Sequence, residues 1–188
     1  MSQLALFEEP ASVRKLPDTI LRSAVLEDTL RFELRRQWSQ GKCIGWVGWN
    51  PSYADETRDD MTVSREMGFS CRWGFGSMIK LNIYPFRSTD PKGLDPWLAS
   101  PEFKRDFARN IRESVAALVE CSTVVAAWGN GPARVHVGEY LFEVERRLPS
   151  IVWHCLGFTG DGSPIHTLAR GKMRVPDDAE LVVWRSPS

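Results

Sequence analysis

Polar, turn-forming residues follow four short apolar runs of the sequence, and the residues that could do chemistry are concentrated there. The first three segments are Asn50-Pro51-Ser52, Asn82 and Trp128-Gly129-Asn130-Gly131, and the fourth is the glycine-rich stretch that leads to His166. In sheets of parallel strands, ligands bind beyond the carboxyl ends of the strands. Loops are polar in any protein, but four such endings in succession favour a binding site.

An acidic cluster comes directly after the first of these segments. It consists of Asp55, Glu56, Asp59 and Asp60. One of them, Asp59 or Asp60 above all, could act as a general base, or a pair could hold Mg²⁺ through oxygen ligands. Asp60 could equally cap a helix that starts near Val63, where negative charge is favourable. The cluster is a poor surface for a phosphate backbone unless a metal ion intervenes.

His166 is the strongest catalytic candidate among the three histidines. It follows a loop rich in glycine and proline, a context that suits function, and it could donate to a leaving-group oxygen or contact a phosphate. His136 falls on a predicted helix face and His154 within a predicted strand, which favours structural roles for both.

Basic residues near the strand ends could form a phosphate-binding groove, with Ser52 as a further phosphate contact. The candidates are Arg87, Arg134, Arg170 and Lys172, with Lys92 and Arg174 nearby. The same charges could equally be solvated surface residues.

The elements that would position these residues alternate between strands and helices. Short apolar runs predict buried strands at 43–49, 76–81, 123–127 and 151–156. Alternation of polar and apolar residues predicts a half-exposed strand at 30–38, and 180–184 is a candidate edge strand. Helical periodicity follows Ser100-Pro101 over 103–119 and recurs over 136–147. The pattern predicts an α/β three-layer sandwich with a central, mainly parallel four-stranded sheet plus edge strands. We expect a flexible lead-in at 1–18 and a single domain at 19–188.

The composition is that of an ordinary globular chain. Of 188 residues, 43% are hydrophobic, and Lys+Arg and Asp+Glu number 24 each. This balance excludes a polybasic binder but permits a local basic groove. No apolar run approaches the roughly 18 residues of a membrane span, and the first residues carry acids where a signal peptide is basic and apolar. We therefore expect a cytoplasmic protein with no membrane contact, and four widely spaced cysteines that are reduced and mostly buried.

The sequence resembles a bacterial and phage family of unknown function, number 1643 (DUF1643). The matching motifs are an Arg-Phe-Glu-Leu-Arg-Arg-Gln-Trp strand at 31–38, Asn-Pro-Ser-x-Ala-Asp at 50–55, the Asp-Asp segment at 59–62, Leu-Asn at 81–82, Trp-Gly at 128–129 and the segment 162–168 that contains His166. The sequence departs from the family at Met61 and Thr167, where the family prefers proline. Neither change removes a polar group.

The same strand ends have a more distant resemblance to the uracil-DNA glycosylase superfamily. The similar segments are Gly-Trp-Asn-Pro-Ser at 48–52, Met-Gly-Phe-Ser at 67–70, Leu-Asn-x-x-x-x-Arg at 81–87, Trp-Gly at 128–129 and, with a different residue order, Ser-Pro-Ile-His at 163–166. This resemblance implies a base flipped out of the stack into a pocket. Asn50 would hold a water molecule, Phe69 would stack on the base and His166 would stabilise the leaving group.

Within that hypothesis, Asn82 and Trp128 would hold the base together with Phe69. Asn82 carries both a donor and acceptors, so it could read a pyrimidine edge, although an asparagine at a strand end can also bond its own backbone. Asn50 could likewise be only a turn residue. We therefore expect an enzyme that hydrolyses or modifies a nucleobase in DNA or in a nucleotide and requires no cofactor. The alternatives are a non-catalytic module that binds a nucleotide or modified base, and a Mg²⁺-dependent enzyme that modifies DNA bases.

Overall fold

A single sheet organises the chain. The computed structural model describes residues 15–131 and 135–187, and the sheet in this part has seven strands in the order β1-β2-β4-β3-β5-β6-β7. The strands are β1 Leu21–Glu27, β2 Leu30–Gln37, β3 Cys43–Gly48, β4 Ser77–Asn82, β5 Thr123–Ala126, β6 Trp153–Cys155 and β7 Val182–Arg185. The four central strands, β4-β3-β5-β6, are parallel, whereas β1, β2 and β7 pair antiparallel at the edges.

Four α-helices cover this sheet in the described ranges. They are α1 Met61–Arg72, α2 Asp95–Leu98, α3 Phe103–Leu118 and α4 Val135–Arg147, with short 3-10 turns at Pro91–Leu94 and Gly171–Met173. The predicted α/β class is confirmed, and each strand and helix predicted from the sequence has a counterpart within a few residues. No strand was predicted at β1, and helix α1 was expected only in the alternative in which Asp60 caps a helix that starts near Val63.

The sheet buries side chains on both faces, so the molecule has three layers. One core lies between the sheet and helices α3 and α4 and includes Phe32, Ile111 and Trp153. The other lies between the sheet and α1 and includes Trp46 and Met78. Burial on both faces explains why the central strands read as continuous apolar runs.

A buried asparagine ties α3 to the carboxyl end of β4. The amide nitrogen Nδ2 of Asn110 donates to the carbonyl oxygens of Asn82 (2.8 Å) and Ile83 (2.9 Å), and Asn110 is fully buried. These bonds satisfy two backbone acceptors at the point where the strand ends. The position of Asn82 is therefore fixed by the packing of α3 as well as by the sheet.

Two sequence expectations concern the limits of the chain. Residues 1–14 of the expected lead-in lie outside the described residues, and 15–18 form no helix or strand. Within the part of the chain that is described, none of the helices is long and apolar enough to cross a membrane.

Candidate functional site

A cavity of about 400 Å³ opens at the carboxyl ends of β3, β4 and β5, beside the first turn of α1. Six of the residues singled out in the sequence line it. They are Asn50, Ser52, Asp60, Asn82, Trp128 and His166, and they share the cavity with Arg31, Gly48, Trp49, Thr62, Val63, Lys80, Ser88, Thr89, Gly129, Asn130 and Gly131. Predicted site residues 116 positions apart, from Asn50 to His166, thus converge on one space because the parallel strands end together.

Two polar side chains pack over the end of β3, where the residue is glycine. A Cβ atom on Gly48 would lie 2.8 Å from Nδ2 of Asn82 and 2.8 Å from Nζ of Lys80. The missing side chain at Gly48 therefore makes room for an amide and an ammonium group at the floor of the cavity. Lys80 and Asn82 are 4% and 2% exposed.

Arg31 fixes the orientation of the Asn82 amide. Its Nη2 donates to Oδ1 of Asn82 (3.0 Å) and its Nη1 donates to the carbonyl oxygen of Ala54 (3.0 Å). Because a guanidinium only donates, the amide oxygen faces Arg31 and the Nδ2 donor is left for the cavity. Asn82 was expected both to donate to a base and to accept from it, and only the donor is therefore available in the cavity. Burial lowers the pKa of Arg31 to about 10, so the group is still charged at neutral pH.

A buried ion pair stands behind the cavity floor. Nζ of Lys80 lies 2.7 Å from Oε1 of Glu66, which also accepts a hydrogen bond from Oγ1 of Thr167 (3.0 Å). Glu66 is fully buried, and burial raises its pKa against the opposing effect of Lys80. The other carboxylate oxygen, Oε2, has no hydrogen-bond partner among the described residues.

His166 is held as a neutral hydrogen-bond donor. The backbone N–H of Leu168 donates to Nδ1 of His166 (3.0 Å), so in the neutral ring the proton is on Nε2. Burial, aided by the positive charge of Lys80 and opposed by Asp60, lowers the pKa of His166 to about 4. Gly129 (φ +68°) makes the close approach possible, because a Cβ there would lie 3.0 Å from Cβ of His166.

Asn50 and Asp60 use part of their polar atoms to hold the backbone. Nδ2 of Asn50 donates to the carbonyl oxygens of Ser88 (2.8 Å) and Pro51 (3.1 Å), while its Oδ1 accepts no bond from the described residues. Oδ1 of Asp60 accepts from the backbone N–H of Val63 (2.8 Å), which makes Asp60 the N-cap of α1. Asn50 therefore holds a turn and Asp60 caps a helix, as the structural alternatives for these residues predicted. Each side chain still has one oxygen for the cavity.

Two tryptophans form the wall opposite α1. A Cβ on Gly131 would lie 2.3 Å from ring atoms of Trp49, so the 128–131 loop lies directly on that indole. Trp128 meets Trp184 and Trp153 edge to face, with ring centroids 5.1 and 6.1 Å apart. These contacts make the aromatic wall rigid.

The structure places two of the predicted residues elsewhere. Phe69 is 2% exposed and packs against Trp46 and Trp73, with centroids 6.4 and 5.4 Å away, in the core beneath α1. Its predicted role as the base-stacking aromatic is not supported, because Gly68-Phe69 lies within the helix and the ring points into the core. Asp59 is also outside the cavity lining, since its carboxylate binds Arg36 (2.6 Å) and Arg22 (3.1 Å).

The predicted phosphate contacts are scattered. Arg87 lies near the cavity rim and donates to the carbonyl oxygens of Ser52 (3.3 Å) and Tyr53 (3.1 Å), and its charge lowers the pKa of Arg31. Arg170 and Lys172 are exposed around the second 3-10 turn and do not line the cavity. Arg134 lies outside the described residues.

The acidic cluster does not converge on a common point. Asp55 caps a turn by accepting from Thr57 and Arg58, and the Thr57 hydrogen bonds lower its pKa to about 2. Asp59 and Asp60 have the partners given above. The described residues contain no group of three or more His, Cys, Asp or Glu side chains that could hold a metal ion. No observation favours the Mg²⁺ pair considered from the sequence.

Three important residues were not singled out from the sequence. They are Arg31, Lys80 and Glu66, all buried and all charged. A charged residue inside an apolar strand is costly unless it is paired, so Lys80 in the run Met78-Ile79-Lys80-Leu81 was a signal that could have been used. Glu66 gave no comparable signal, because its partner lies 14 residues away on a different element.

The comparison with known families agrees with the extent of this site. The family described as "Protein of unknown function (DUF1643)" matches residues 31–168, and the chain belongs to this family. The matched range begins at Arg31 and includes every residue that lines the cavity. Searches of curated proteins and of solved structures returned no match.

Proposed function

We propose that this protein is a nucleobase-directed enzyme that hydrolyses or modifies a base in DNA or in a nucleotide held in the cavity. The observation that carries the proposal is the convergence of Asn82, His166 and Trp128 on one space of about 400 Å³. This volume is in the range of small-ligand sites, and the cavity combines an apolar wall with a few directed polar groups. A planar base with carbonyl oxygens fits that combination.

The polar groups at the floor are donors. They are Nδ2 of Asn82, the Nε2–H of His166 and the ammonium of Lys80. In a base-excising reaction, negative charge develops on the oxygens of the departing base, and fixed donors aimed at those oxygens stabilise that charge. A neutral histidine keeps its Nε2–H and can donate it to such an oxygen. The charges of Lys80 and Arg31 add a positive potential.

The groups that would act on the attacking water molecule line the cavity beside the first turn of α1. Oδ1 of Asn50 would orient a water molecule, and the second carboxylate oxygen of Asp60 would accept its proton. Trp128 would form the wall against which the base lies. Arg87 at the rim, near Ser52, would contact a phosphate.

The resemblance to the uracil-DNA glycosylase superfamily supports the same proposal. It implies a four-stranded parallel sheet with helices on both sides and a base-binding pocket at the strand ends. The relative positions of Asn50, Asn82, Trp128 and His166 support that interpretation. The core position of Phe69 counts against it, and a base held here would need Trp128 in its place.

A non-catalytic module that binds a nucleotide or modified base is the second candidate. One observation favours it: Asn50 and Asp60 both spend polar atoms on the backbone, and Asp60 is the only carboxylate among the described lining residues. Such a module would bind the base as tightly as the enzyme but release no product.

Base release from labelled oligonucleotides tests the proposal. Single- and double-stranded oligonucleotides carrying uracil, hypoxanthine, xanthine or 5-hydroxymethyluracil are incubated with the pure protein, and alkali then cleaves abasic sites. We expect cleavage that falls by about 100-fold or more in His166→Ala. His154→Ala, on β6 outside the cavity, is the matched control and should keep full activity. A mobility shift without cleavage would favour the binding module, and neither cleavage nor shift would overturn action on these bases in DNA and point toward free nucleotides.

A further inference from the structure

Two cysteines meet at the end of the sheet opposite the cavity. Cys43 is the first residue of β3, and Cys121 lies just after α3, two residues before β5. Their Sγ atoms are 3.9 Å apart. Both side chains are partly exposed, whereas Cys71 and Cys155 are buried. The expectation of four mostly buried thiols therefore holds for only two of them.

The backbone already holds these two residues together. The N–H of Ser122 donates to the carbonyl oxygen of Cys43 (2.9 Å), and Ile44 is paired with Thr123 in the parallel ladder. Packing around the pair is tight, since a Cβ on Gly45 would lie 3.1 Å from Sγ of Cys121. A disulfide has an S–S distance of about 2.05 Å, so the two sulfurs need to approach by only about 2 Å to form one.

The surroundings of Cys43 favour its thiolate. The two thiols share a hydrogen bond, and this bond, with lesser help from Ser77 and Arg35, lowers the pKa of Cys43 below the ordinary thiol value. Burial and Glu120 oppose the shift. Cys43 also lines an open surface cavity of about 390 Å³ together with Arg35, Ser77 and Glu120, so a small reagent can reach it. Thiolates in such settings are the reactive cysteines of proteins.

We infer that Cys43 and Cys121 form a dithiol–disulfide site that small-molecule disulfides, such as oxidised glutathione, oxidise reversibly. The Cys43 thiolate attacks one sulfur of the small disulfide, which forms a mixed disulfide and releases one thiolate. Cys121 then loses its proton to solvent and attacks the Cys43 sulfur, which expels the second thiolate. Two electrons pass from the cysteine pair to the reagent, so one disulfide forms in the protein and one is reduced to two thiols.

Closing this bond links the elements that reach the cavity at their other ends. Strand β3 leads to Asn50 and β5 leads to Trp128, while α3 carries Asn110, which holds the end of β4. The bond also closes a long loop, from Cys43 to Cys121, which restricts the unfolded chain. We expect the oxidised protein to melt roughly 5–10 °C above the reduced protein.

Oxidation of the reduced full-length protein with oxidised glutathione tests the inference. Before alkylation we expect the protein to be two hydrogens lighter, and after denaturation and alkylation it should carry two alkyl groups instead of four, with peptides containing Cys43 and Cys121 linked. Cys43→Ser and Cys121→Ser should each remove the link. In Cys121→Ser a single glutathione should remain on Cys43, whereas Cys43→Ser lacks the attacking thiolate and should gain none. The double variant Cys71→Ser/Cys155→Ser is the matched control and should still form the bond.

Several outcomes would overturn the inference. These are four free thiols after treatment, a stable glutathione adduct on Cys43 in the unmutated protein, or a bond that involves Cys71 or Cys155. Circular dichroism of each variant before oxidation establishes that it is folded. Because base cleavage is measured separately, a failure of the proposed function leaves this result unaffected.

Discussion

The ammonium nitrogen of Lys80 lies 2.7 Å from Oε1 of Glu66, and the two side chains are 4% and 0% exposed. This buried pair brings a positive charge to the cavity floor and balances it from the core side. Thr167, next to His166, completes the arrangement by donating to the same carboxylate oxygen. The Glu66 carboxylate therefore connects three parts of the site: Lys80 at the cavity floor, helix α1 and the loop of His166.

Breaking this pair should destabilise the fold strongly. Glu66→Ala leaves the ammonium of Lys80 buried without a counter-charge, and Lys80→Met leaves the carboxylate unpaired. Each should lower the free energy of unfolding in urea by about 3–5 kcal/mol. The double variant Lys80→Met/Glu66→Leu should lose clearly less than the sum. Glu143→Ala, which breaks surface pairs with Arg146 and Arg147, should cost under about 1 kcal/mol. Equal losses for the buried and exposed pairs would refute this account.

Gly48→Ala should impair the site while the fold survives. The atoms nearest to the added Cβ would be the amide nitrogen of Asn82 and the ammonium end of Lys80, both 2.8 Å away, so these two side chains must shift. Their displacement removes donors from the cavity floor, so base cleavage or binding should fall by about 100-fold. Gly68→Ala is the matched control, because no atom lies within 4 Å of the new Cβ and the residue is inside α1. That variant should be more stable by about 0.5–1 kcal/mol with unchanged activity.

The sequence predicts the order of elements well, because the central strands are buried on both faces and each is followed within three residues by a glycine, asparagine or proline. It also predicts that Asn50, Asn82, Trp128 and His166 meet, since parallel strands end on one edge. These inferences need only local pattern and one topological rule.

The rest depends on which way a side chain points, and local pattern does not determine that. Phe69 looked available in a polar stretch, but the helix that contains it turns the ring toward Trp46. Asp59 and Asp60 are neighbours in sequence, yet one faces Arg36 and the other caps α1. The register of β2 shifts beside Phe32, which puts Phe32 and Leu34 in opposite cores. Such details follow from tertiary packing.

His166 should remain neutral well below the ordinary histidine range. Its pKa is lowered from 6.5 to about 4, mainly by burial. The unfolded chain takes up this proton at the higher pH, so the stabilisation is complete above pH 6.5 and is lost as the pH falls toward 4. The loss should reach about 3 kcal/mol. His166→Asn should remove this part of the pH dependence of unfolding in urea.

Nuclear magnetic resonance can follow the same group directly. Long-range ¹H–¹⁵N spectra should show the ring of His166 as the Nε2–H tautomer at about pH 7 and still neutral at about pH 5. A titration midpoint near the ordinary value would show that the ring is solvated and would remove the basis for treating it as a neutral donor.

Variants of Asp59 and Asp60 should differ in which property they lose, stability or activity. Asp59→Asn weakens the only carboxylate contact of Arg36 among the described residues, a side chain with 0% exposure, and should cost about 3 kcal/mol of stability in urea. Because Asp59 does not line the cavity, the folded variant should keep its activity at low temperature.

Asp60→Asn retains an N-cap oxygen and should unfold like the parent, whereas Asp60→Ala should lose about 1 kcal/mol. If the free oxygen of Asp60 accepts a proton from water, Asp60→Asn should nevertheless cleave at least about 100-fold more slowly. Full activity in Asp60→Asn would leave Asp60 as a helix cap alone and would show that another group accepts the proton.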